Sequence, residues 1–340
     1  MRWVGILAFV GCVACLGGAQ PAPGLPAQSP LQRACTAQPG ERPDLAGVAV
    51  EEELATPGDL PAIRVTSKAT GAFMRVHYDT GSERIARARA ACLGAQLPIV
   101  ERETGDDRRG AEWMAAVFTQ DRTYIPPRGG DVQPRWVIDV EQDGTLTKLG
   151  HVMVVHTIPH EQVHSWQMRG SSVLPRWVLE GHARWVQDKI VPIFDPAVAI
   201  SQDRVRTEQV VKADGPLNLA QWGSERPKRE AYLRQVSPED RARMEADPNY
   251  YPTGTFTFTT DDFESDASNF VARYAAATAI FTGLERRHGA NAVRDWMTEV
   301  TSLDGRVSKE ALATSIRRHF GEELDNLLAE RPTIDPDTTG

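Results

Sequence analysis

The 340-residue chain has only 4 cysteines and 8 histidines, so few of its side chains can form disulfides or offer a sulfur or imidazole nitrogen to a metal ion. Its 46 acidic residues outnumber its 38 basic ones and give a formal net charge of -8. Binding to nucleic acid or to an anionic membrane surface depends on clustered Lys and Arg, so this balance argues against both partners. No run after the N-terminal segment is apolar and long enough for a transmembrane helix. The 41% hydrophobic residues nevertheless suffice for a sizeable core.

Residues 1–19 combine a single positive charge, a short apolar run and small residues at the end. These features predict a secretory signal peptide, and Gly17 and Ala19 suit the small-residue pockets of a signal peptidase. Attachment of a lipid through Cys12 or Cys15 is the alternative. The protein is therefore expected to be exported to the periplasm, the cell surface or the extracellular space, with or without a lipid anchor.

Once a signal peptide is removed, Cys35 and Cys92 are the two cysteines that remain. An oxidising export compartment allows them to pair. The sequence is compatible both with a disulfide that ties the N-terminal arm to the domain and with two separate thiols.

Composition divides the rest of the chain. Residues 20–45 are rich in Pro, Ala, Gln and Gly without apolar periodicity, which is typical of a flexible spacer. The last residues are polar and predict a loose tail. The expected organisation is a signal peptide (1–19), a flexible leader (20–45), one domain (46–331) with a sheet-containing part (46–190) and a helical part (191–331), and a tail (332–340).

The first half of the domain is predicted to mix strands and helices. A helix should open at Thr80-Gly-Ser-Glu83, where Thr80 and Glu83 have capping-box spacing, and run to about Ala95, and another should span Ala111 to Thr119. After Glu180 the pattern is mainly helical. This order of elements predicts an α+β fold with a helical second half. The predicted strands are Ala62 to Thr66, Phe73 to Tyr78, Arg135 to Val140, its partner Thr145 to Leu149 after a turn at Asp143-Gly144, and Thr255 to Thr259. The later helices begin at Ser237, run from Asn269 to Gly289, and span Asn291 to Thr301 and Ser308 to Phe320.

Five of the histidines fall between residues 151 and 182, around the pentapeptide HEQVH. Residues four apart share one face of a helix, so His160 and His164 can present both imidazoles to one zinc ion. Glu161 would then face a water on the open side of that ion, as in HExxH hydrolases. Glu180, on a second helix, is the candidate third ligand, and it leaves a fourth position for water. A structural zinc site fits poorly, because such sites favour Cys and His ligands and the cysteines are far away in sequence.

Two nearby histidines are interpreted differently. His156 lies four residues before His160 but is followed by Thr157, so that pair would lack an adjacent base. His156 is therefore expected to support a ligand or only the fold. His182 points to the opposite helix face from Glu180 and is interpreted as a packing or surface histidine. Pro159 implies that the helix begins about one turn before His160.

HEQVH followed by LPRWVLEGHARW resembles the gluzincin metallopeptidases, including aminopeptidase-like and peptidase-MA-like proteins. Their third ligand lies in a Trp-x-x-Glu-Gly-x-Ala segment, which Trp177, Glu180, Gly181 and Ala183 match. The segment from Tyr274 to Gly289 resembles a later helix of the family. The motif from 160 to 183 is specific, whereas the likeness over 73 to 330 is weak elsewhere.

The resemblance implies a zincin, thermolysin-like fold, with a small twisted sheet over the HExxH helix and a helical C-terminal subdomain. It also implies that Tyr274 donates a hydrogen bond to the oxyanion formed during hydrolysis, although an aromatic core residue is an equally good interpretation from the sequence. Two departures matter. The interval from His164 to Glu180 is shorter than in the aminopeptidases, and the Gly-x-Met-Glu-Asn segment that grips a free amino terminus is missing. Exopeptidase activity is therefore not implied.

Two functions remain as hypotheses from the sequence. The first is an exported zinc metallopeptidase that cleaves a peptide or protein substrate, with one Zn2+ held by His160, His164 and Glu180 and with Glu161 as general base. The second is a cell-surface or periplasmic binding protein that keeps a peptidase-like cleft with little or no catalysis. Glu161 weighs against the second hypothesis, because a binding module needs no base beside the metal.

Overall fold

A computed structural model describes residues 28–53, 59–105, 110–126, 135–213, 217–222, 228–247, 250, 252, 256–257 and 270–329. The predicted signal peptide (1–19) and the predicted tail (332–340) lie outside these residues. Within the described ranges, no helix combines the length and the apolar character needed to cross a membrane.

The strands form a single five-stranded sheet in sequence order. They are β1 (Val48–Glu53), β2 (Ala62–Ser67), β3 (Phe73–Tyr78), β4 (Glu112–Thr119) and β5 (Arg135–Asp139). β2 is antiparallel to both β1 and β3, whereas β4 is parallel to both β3 and β5. Three of the predicted strands are confirmed as β2, β3 and β5. The strand predicted over Thr145 to Leu149 is wrong, because a helix begins at Lys148 and Leu146 forms an isolated bridge with Val140. Residues 255, 258 and 259 of the strand predicted over Thr255 to Thr259 lie outside the described residues.

A long helix, α2 (Glu83–Thr104), connects β3 to β4, as a parallel strand pair requires. It runs well past the predicted end at Ala95 and stops at Gly105, whose φ of 74° places it in the left-handed region. The capping box predicted for Thr80 and Glu83 is wrong, because the helix begins at Glu83 and Ser82 is its N-cap, without a capping hydrogen bond from its side chain. Asp79 instead accepts a hydrogen bond from the Ser82 backbone N–H at 2.8 Å.

The helix predicted over Ala111 to Thr119 is also wrong, because Glu112–Thr119 is strand β4. Every residue of this strand after Glu112 is buried. β4 lies inside the sheet between two parallel neighbours, so side chains on both of its faces are covered and the strand reads as a continuous apolar run. Periodicity alone does not distinguish such a run from a buried helix.

Part of the predicted flexible leader over residues 20–45 is folded. Pro30–Thr36 forms helix α1, in which Ala34 and Cys35 are fully buried. A disulfide joins Cys35 to Cys92 in the middle of α2, which confirms the pairing hypothesis. Burial of its side chains and the disulfide therefore fix α1 to the domain, although the composition of this segment alone is typical of a spacer.

We expect loss of this disulfide to destabilise the fold strongly. Replacing both Cys35 and Cys92 with alanine should lower the free energy of unfolding by about 4 kcal/mol, because the cross-link closes a loop with a sequence separation of 57. Urea unfolding of the oxidised wild type and the double variant measures the difference. Equal stabilities would contradict a structural role for the cross-link.

The remainder of the described chain is mainly helical. Helix α5 is central, because it contacts α4, α6 and α9. The expected α+β class with a helical second half is confirmed, and the predicted starts at Ser237 and Ser308 are the N-caps of α8 and α11. The helices are α3 (Lys148–Val152), α4 (Ile158–Gln167), α5 (Arg176–Phe194), α6 (Pro196–Lys212), α7 (Arg229–Leu233), α8 (Pro238–Ala246), α9 (Phe270–His288), α10 (Ala290–Thr301), α11 (Lys309–Phe320) and α12 (Leu324–Ala329), with a short 3-10 turn at Leu219–Gln221.

Candidate metal centre

The HExxH motif lies on α4, at the end of a longer helical run. α4 begins at Ile158 with Pro159 in its first turn, as predicted, but α3 and a π-helical turn (Met153–Thr157) precede it without a break. Proline has no N–H and clashes with the carbonyl four residues earlier in a regular α-helix. The wider π turn, in which the Ile158 N–H donates to the Met153 carbonyl, lets the helix continue through Pro159.

The structure brings the three predicted ligands together. His160 and His164 project from α4, and Glu180 projects from α5. The two imidazole Nε2 atoms are 3.0 Å apart, and each lies 3.3 Å from Glu180 Oε2. All three side chains are largely buried, with 10%, 15% and 13% of their surfaces exposed. Three residues from two helices thus direct one ligand atom each at a common point.

The donor set fits a zinc ion. Two imidazole nitrogens and one carboxylate oxygen are ordinary zinc ligands, and tetrahedral coordination at the usual bond lengths places neighbouring ligand atoms about 3.3 Å apart. The observed separations of 3.0–3.3 Å match that requirement. Among the described residues, His160, His164 and Glu180 form a group whose ligand atoms lie close enough to one another to hold a metal ion.

The charges within the cluster are strongly coupled. Burial by itself raises the pKa of Glu180, but the adjacent imidazoles of His164 and His160 hold that pKa well below its ordinary value. Burial lowers the pKa of His164, yet the Glu180 carboxylate raises it to about 9. Burial lowers the pKa of His160, and the hydrogen bond that Glu180 accepts from it only partly opposes this shift. The ionised Glu180 carboxylate therefore favours a positive charge on the imidazole of His164. A bound metal cation would supply a positive charge at the same place.

Glu161 lies on the same helix, directly after His160. Burial raises the pKa of Glu161 to about 7, although the nearby His164 opposes this rise. A carboxyl group with such a pKa can exchange a proton near neutral pH. Glu161 thus has the chemistry expected of a general base or acid beside the three ligands.

Tyr274 reaches the cluster from α9. Its ring centroid is 6.4 Å from that of His160 and 4.9 Å from that of Trp222. Burial and the Glu180 carboxylate raise the pKa of Tyr274 far above its ordinary value, so the phenol stays protonated and can donate a hydrogen bond. Gly181 explains how α9 comes so close, because a Cβ there would lie 2.8 Å from the Ala277 carbonyl oxygen.

Arg176 is a neighbour of the site that the sequence reasoning did not select. It lies one turn before Glu180 on α5, and its Nε is 3.5 Å from Glu180 Oε1. Its guanidinium carbon is 5.3 Å from the centre of the Trp222 ring. Its spacing of four residues from Glu180 is the sequence signal that could have identified Arg176 as a neighbour of that ligand. Arg176 therefore adds one positive charge beside the carboxylate oxygen that is not shared with the histidines.

The two histidines that were set aside are both buried. His156 is paired with Arg184, whose Nη1 is 2.9 Å from His156 Nε2, so its role as a structural or supporting residue agrees with its position. His182 is fully buried between the rings of Trp166 and Trp185. Of the two interpretations from the sequence, this position agrees with a packing residue and excludes a surface residue. Burial lowers the pKa of His182 to about 3, so this ring is neutral.

Comparison with protein-family models and with curated proteins finds no match to this chain. Among solved structures, the chain is similar to the M1 zinc metallopeptidase of Deinococcus radiodurans, a mutant of which was crystallised with a Tyr-Ser-Ala substrate. The sequence identity is 13% and the TM-score is 0.36 over 85% of this chain and 53% of the other. The likeness is thus a distant one, and the chain spans about half the length of that protein.

Proposed function

We propose that this protein is an exported zinc metallopeptidase. The observation that carries the proposal is the convergence of His160, His164 and Glu180 on one buried point, with Glu161 next to it on the same helix. The first three residues are candidate metal ligands, and Glu161 is an acid–base group beside them. A hydrolase needs such a group, whereas a structural zinc site does not.

In this proposal the three ligands hold one Zn2+. When bound, the ion would act as a Lewis acid toward a carbonyl group and lower the pKa of water in its remaining position. Glu161 accepts the proton of the attacking water and delivers it to the leaving nitrogen of the peptide. The burial of Glu161 supports this role, because it keeps the basicity of the carboxylate high. Arg176 balances part of the negative charge of Glu180.

A peptide or protein substrate is inferred from the resemblance of the HEQVH and Trp-x-x-Glu-Gly-x-Ala segments to gluzincin peptidases. Export is inferred from residues 1–19, with cleavage after Ala19 or lipid attachment at Cys12 or Cys15 as the two routes. The disulfide between Cys35 and Cys92 supports an oxidising compartment.

The deciding experiment measures metal content and hydrolysis together. Purified mature protein should contain one zinc per chain and should cleave members of a mixed peptide library. A chelator should abolish cleavage, and added zinc should restore it. Stoichiometric zinc without cleavage of any peptide would favour the binding-protein hypothesis, and absence of bound zinc would contradict the whole proposal.

Tyr274 supplies a second test of the same proposal. Because its protonated phenol lies next to the ligand cluster, we expect it to donate a hydrogen bond to the negative charge that develops on the scissile carbonyl oxygen. Tyr274→Phe should lower kcat by about 10²-fold while zinc content and KM change little. Steady-state kinetics and metal analysis check this, and an unaltered kcat would leave Tyr274 as a packing residue.

A further inference from the structure

A single glutamine connects the two helices that carry the ligands. Gln167 is the last residue of α4, one turn after His164, and it is almost fully buried. Its Oε1 lies 2.6 Å from His164 Nδ1, and its Nε2 lies 2.9 Å from the Leu179 carbonyl oxygen and 3.1 Å from His182 Nδ1. One amide thus contacts a ligand on α4 and two positions on α5.

The Leu179 carbonyl decides which way this amide points. A carbonyl oxygen only accepts hydrogen bonds, so the atom of Gln167 that faces Leu179 must be the NH2 nitrogen. The amide oxygen then faces His164 Nδ1, and Nδ1 must carry the proton that it donates. His164 Nε2 is consequently the nitrogen that faces His160 and Glu180, and it is the ring nitrogen left to coordinate a metal ion when the ion displaces its proton. The network selects the ring nitrogen that a metal needs.

The same amide sets the spacing between the ligands. Leu179 immediately precedes Glu180, so a hydrogen bond to its carbonyl holds α5 at a fixed distance from the end of α4. His182, two residues after Glu180, accepts a hydrogen bond from the same NH2 group. His182 is wedged against Trp166, Trp185 and Phe281, so it provides a rigid acceptor. Gln167 therefore has little freedom to rotate away from His164.

We propose that Gln167 is the positioning residue of the metal centre: it fixes the Nδ1–H form of His164 and the separation of His164 from Glu180. The inference rests on the proposed function for its meaning, but the contact itself can be tested in the metal-free protein. Groups that hold the second nitrogen of a metal-binding histidine typically contribute 10–100-fold to metal affinity or activity.

Gln167→Leu removes all three hydrogen bonds and keeps a side chain of similar size. Gln187→Leu is the matched control, because Gln187 is an equally buried glutamine that accepts from Arg184 and donates to the His156 carbonyl without touching a ligand. Both variants should lose thermal stability. Zinc affinity, measured by competition with a chromophoric chelator, should fall about 10–100-fold in Gln167→Leu and stay unchanged in Gln187→Leu. Equal zinc affinities in the two variants would overturn the proposal.

NMR of full-length mature protein with ¹⁵N-labelled histidine tests the contact directly. A slowly exchanging Nδ1–H resonance of His164 should be present in the metal-free and the zinc-loaded wild type and absent in Gln167→Leu. Gln167→Glu keeps an acceptor for Nδ1–H but loses the NH2 group that donates to Leu179. It should therefore show the resonance, and its zinc affinity should lie between those of the leucine variant and the wild type. No such resonance in the wild type, or an unchanged resonance in Gln167→Leu, would contradict the inference. A wild-type protein that shows the resonance but binds no zinc would reject the proposed function and leave the Gln167 contact established.

Discussion

Replacing Glu161 with glutamine is expected to lower kcat by about 10²–10⁴-fold while one zinc per chain remains bound. Glutamine has nearly the same shape as glutamate, but it cannot accept a proton from water at neutral pH. Glu161 lies outside the group of three ligand atoms, so the metal should not depend on its charge. The pair of measurements is steady-state hydrolysis of a peptide cleaved by the wild type and zinc content after gel filtration.

Asp188→Asn provides a control for the loss of one half-buried negative charge on α5. Asp188 lies on α5 with Glu180, but it pairs with Arg184 and Arg206 and not with a ligand. This variant should keep most of the wild-type activity, although it is expected to be less stable. Full activity in Glu161→Gln would exclude Glu161 as the base. Loss of zinc from the same variant would instead place Glu161 among the ligands.

The relative positions of the two histidine ligands could be predicted from the sequence, because they depend on local helix geometry alone. Four-residue spacing places His160 and His164 on one face of any helix. The position of Glu180 relative to these histidines could not be predicted from spacing, because the sequence does not show how α5 packs against α4 after the intervening loop. The sequence indicates Glu180 as a carboxylate on a second helix after that loop and through its Trp-x-x-Glu-Gly-x-Ala context. Gly181 gives that context a physical meaning by allowing α9 to approach α5 closely.

Other features depended on tertiary packing and gave no usable local signal. β4 was mistaken for a helix because its residues are buried on both faces, which removes the two-residue alternation of an exposed strand. α1 was assigned to a flexible leader because its composition is that of a spacer, whereas its order comes from burial and from the Cys35–Cys92 disulfide. The π turn before Pro159 was not foreseen, since proline normally marks the start of a helix.

The surroundings of the ligands were the least predictable part of the site. Gln167 is one turn from His164, and Arg176 is one turn from Glu180, so both spacings were visible in the sequence. Spacing alone does not show that Gln167 also reaches Leu179 and His182 on another helix. His182 was interpreted as a packing or surface residue, and the structure connects it through Gln167 to His164. The chemistry of a metal site thus extends beyond the residues that a ligand motif identifies.

Glu180→Ala is expected to weaken zinc binding by about 10³-fold. Zinc sites in small proteins contribute about 10–16 kcal/mol in total, so one ligand of three or four accounts for roughly 4 kcal/mol. Glu180 is also the ligand that brings negative charge to two imidazoles, so its loss leaves His160 and His164 without the carboxylate that both contact. Zinc competition with a chelator and metal analysis of the purified variant measure the effect.

Glu285→Ala is the matched control for Glu180→Ala. Glu285 is a carboxylate on α9 that accepts from Trp185 Nε1 at 2.7 Å and from Lys189 Nζ at 2.9 Å, both on α5. Its loss removes contacts between α5 and α9 but no ligand, so zinc affinity should stay close to that of the wild type while thermal stability falls. Retention of wild-type zinc affinity by Glu180→Ala would mean that the third ligand lies elsewhere. A comparable loss in both variants would mean that the packing of α5 against α9, and not the Glu180 carboxylate, determines whether the metal is held.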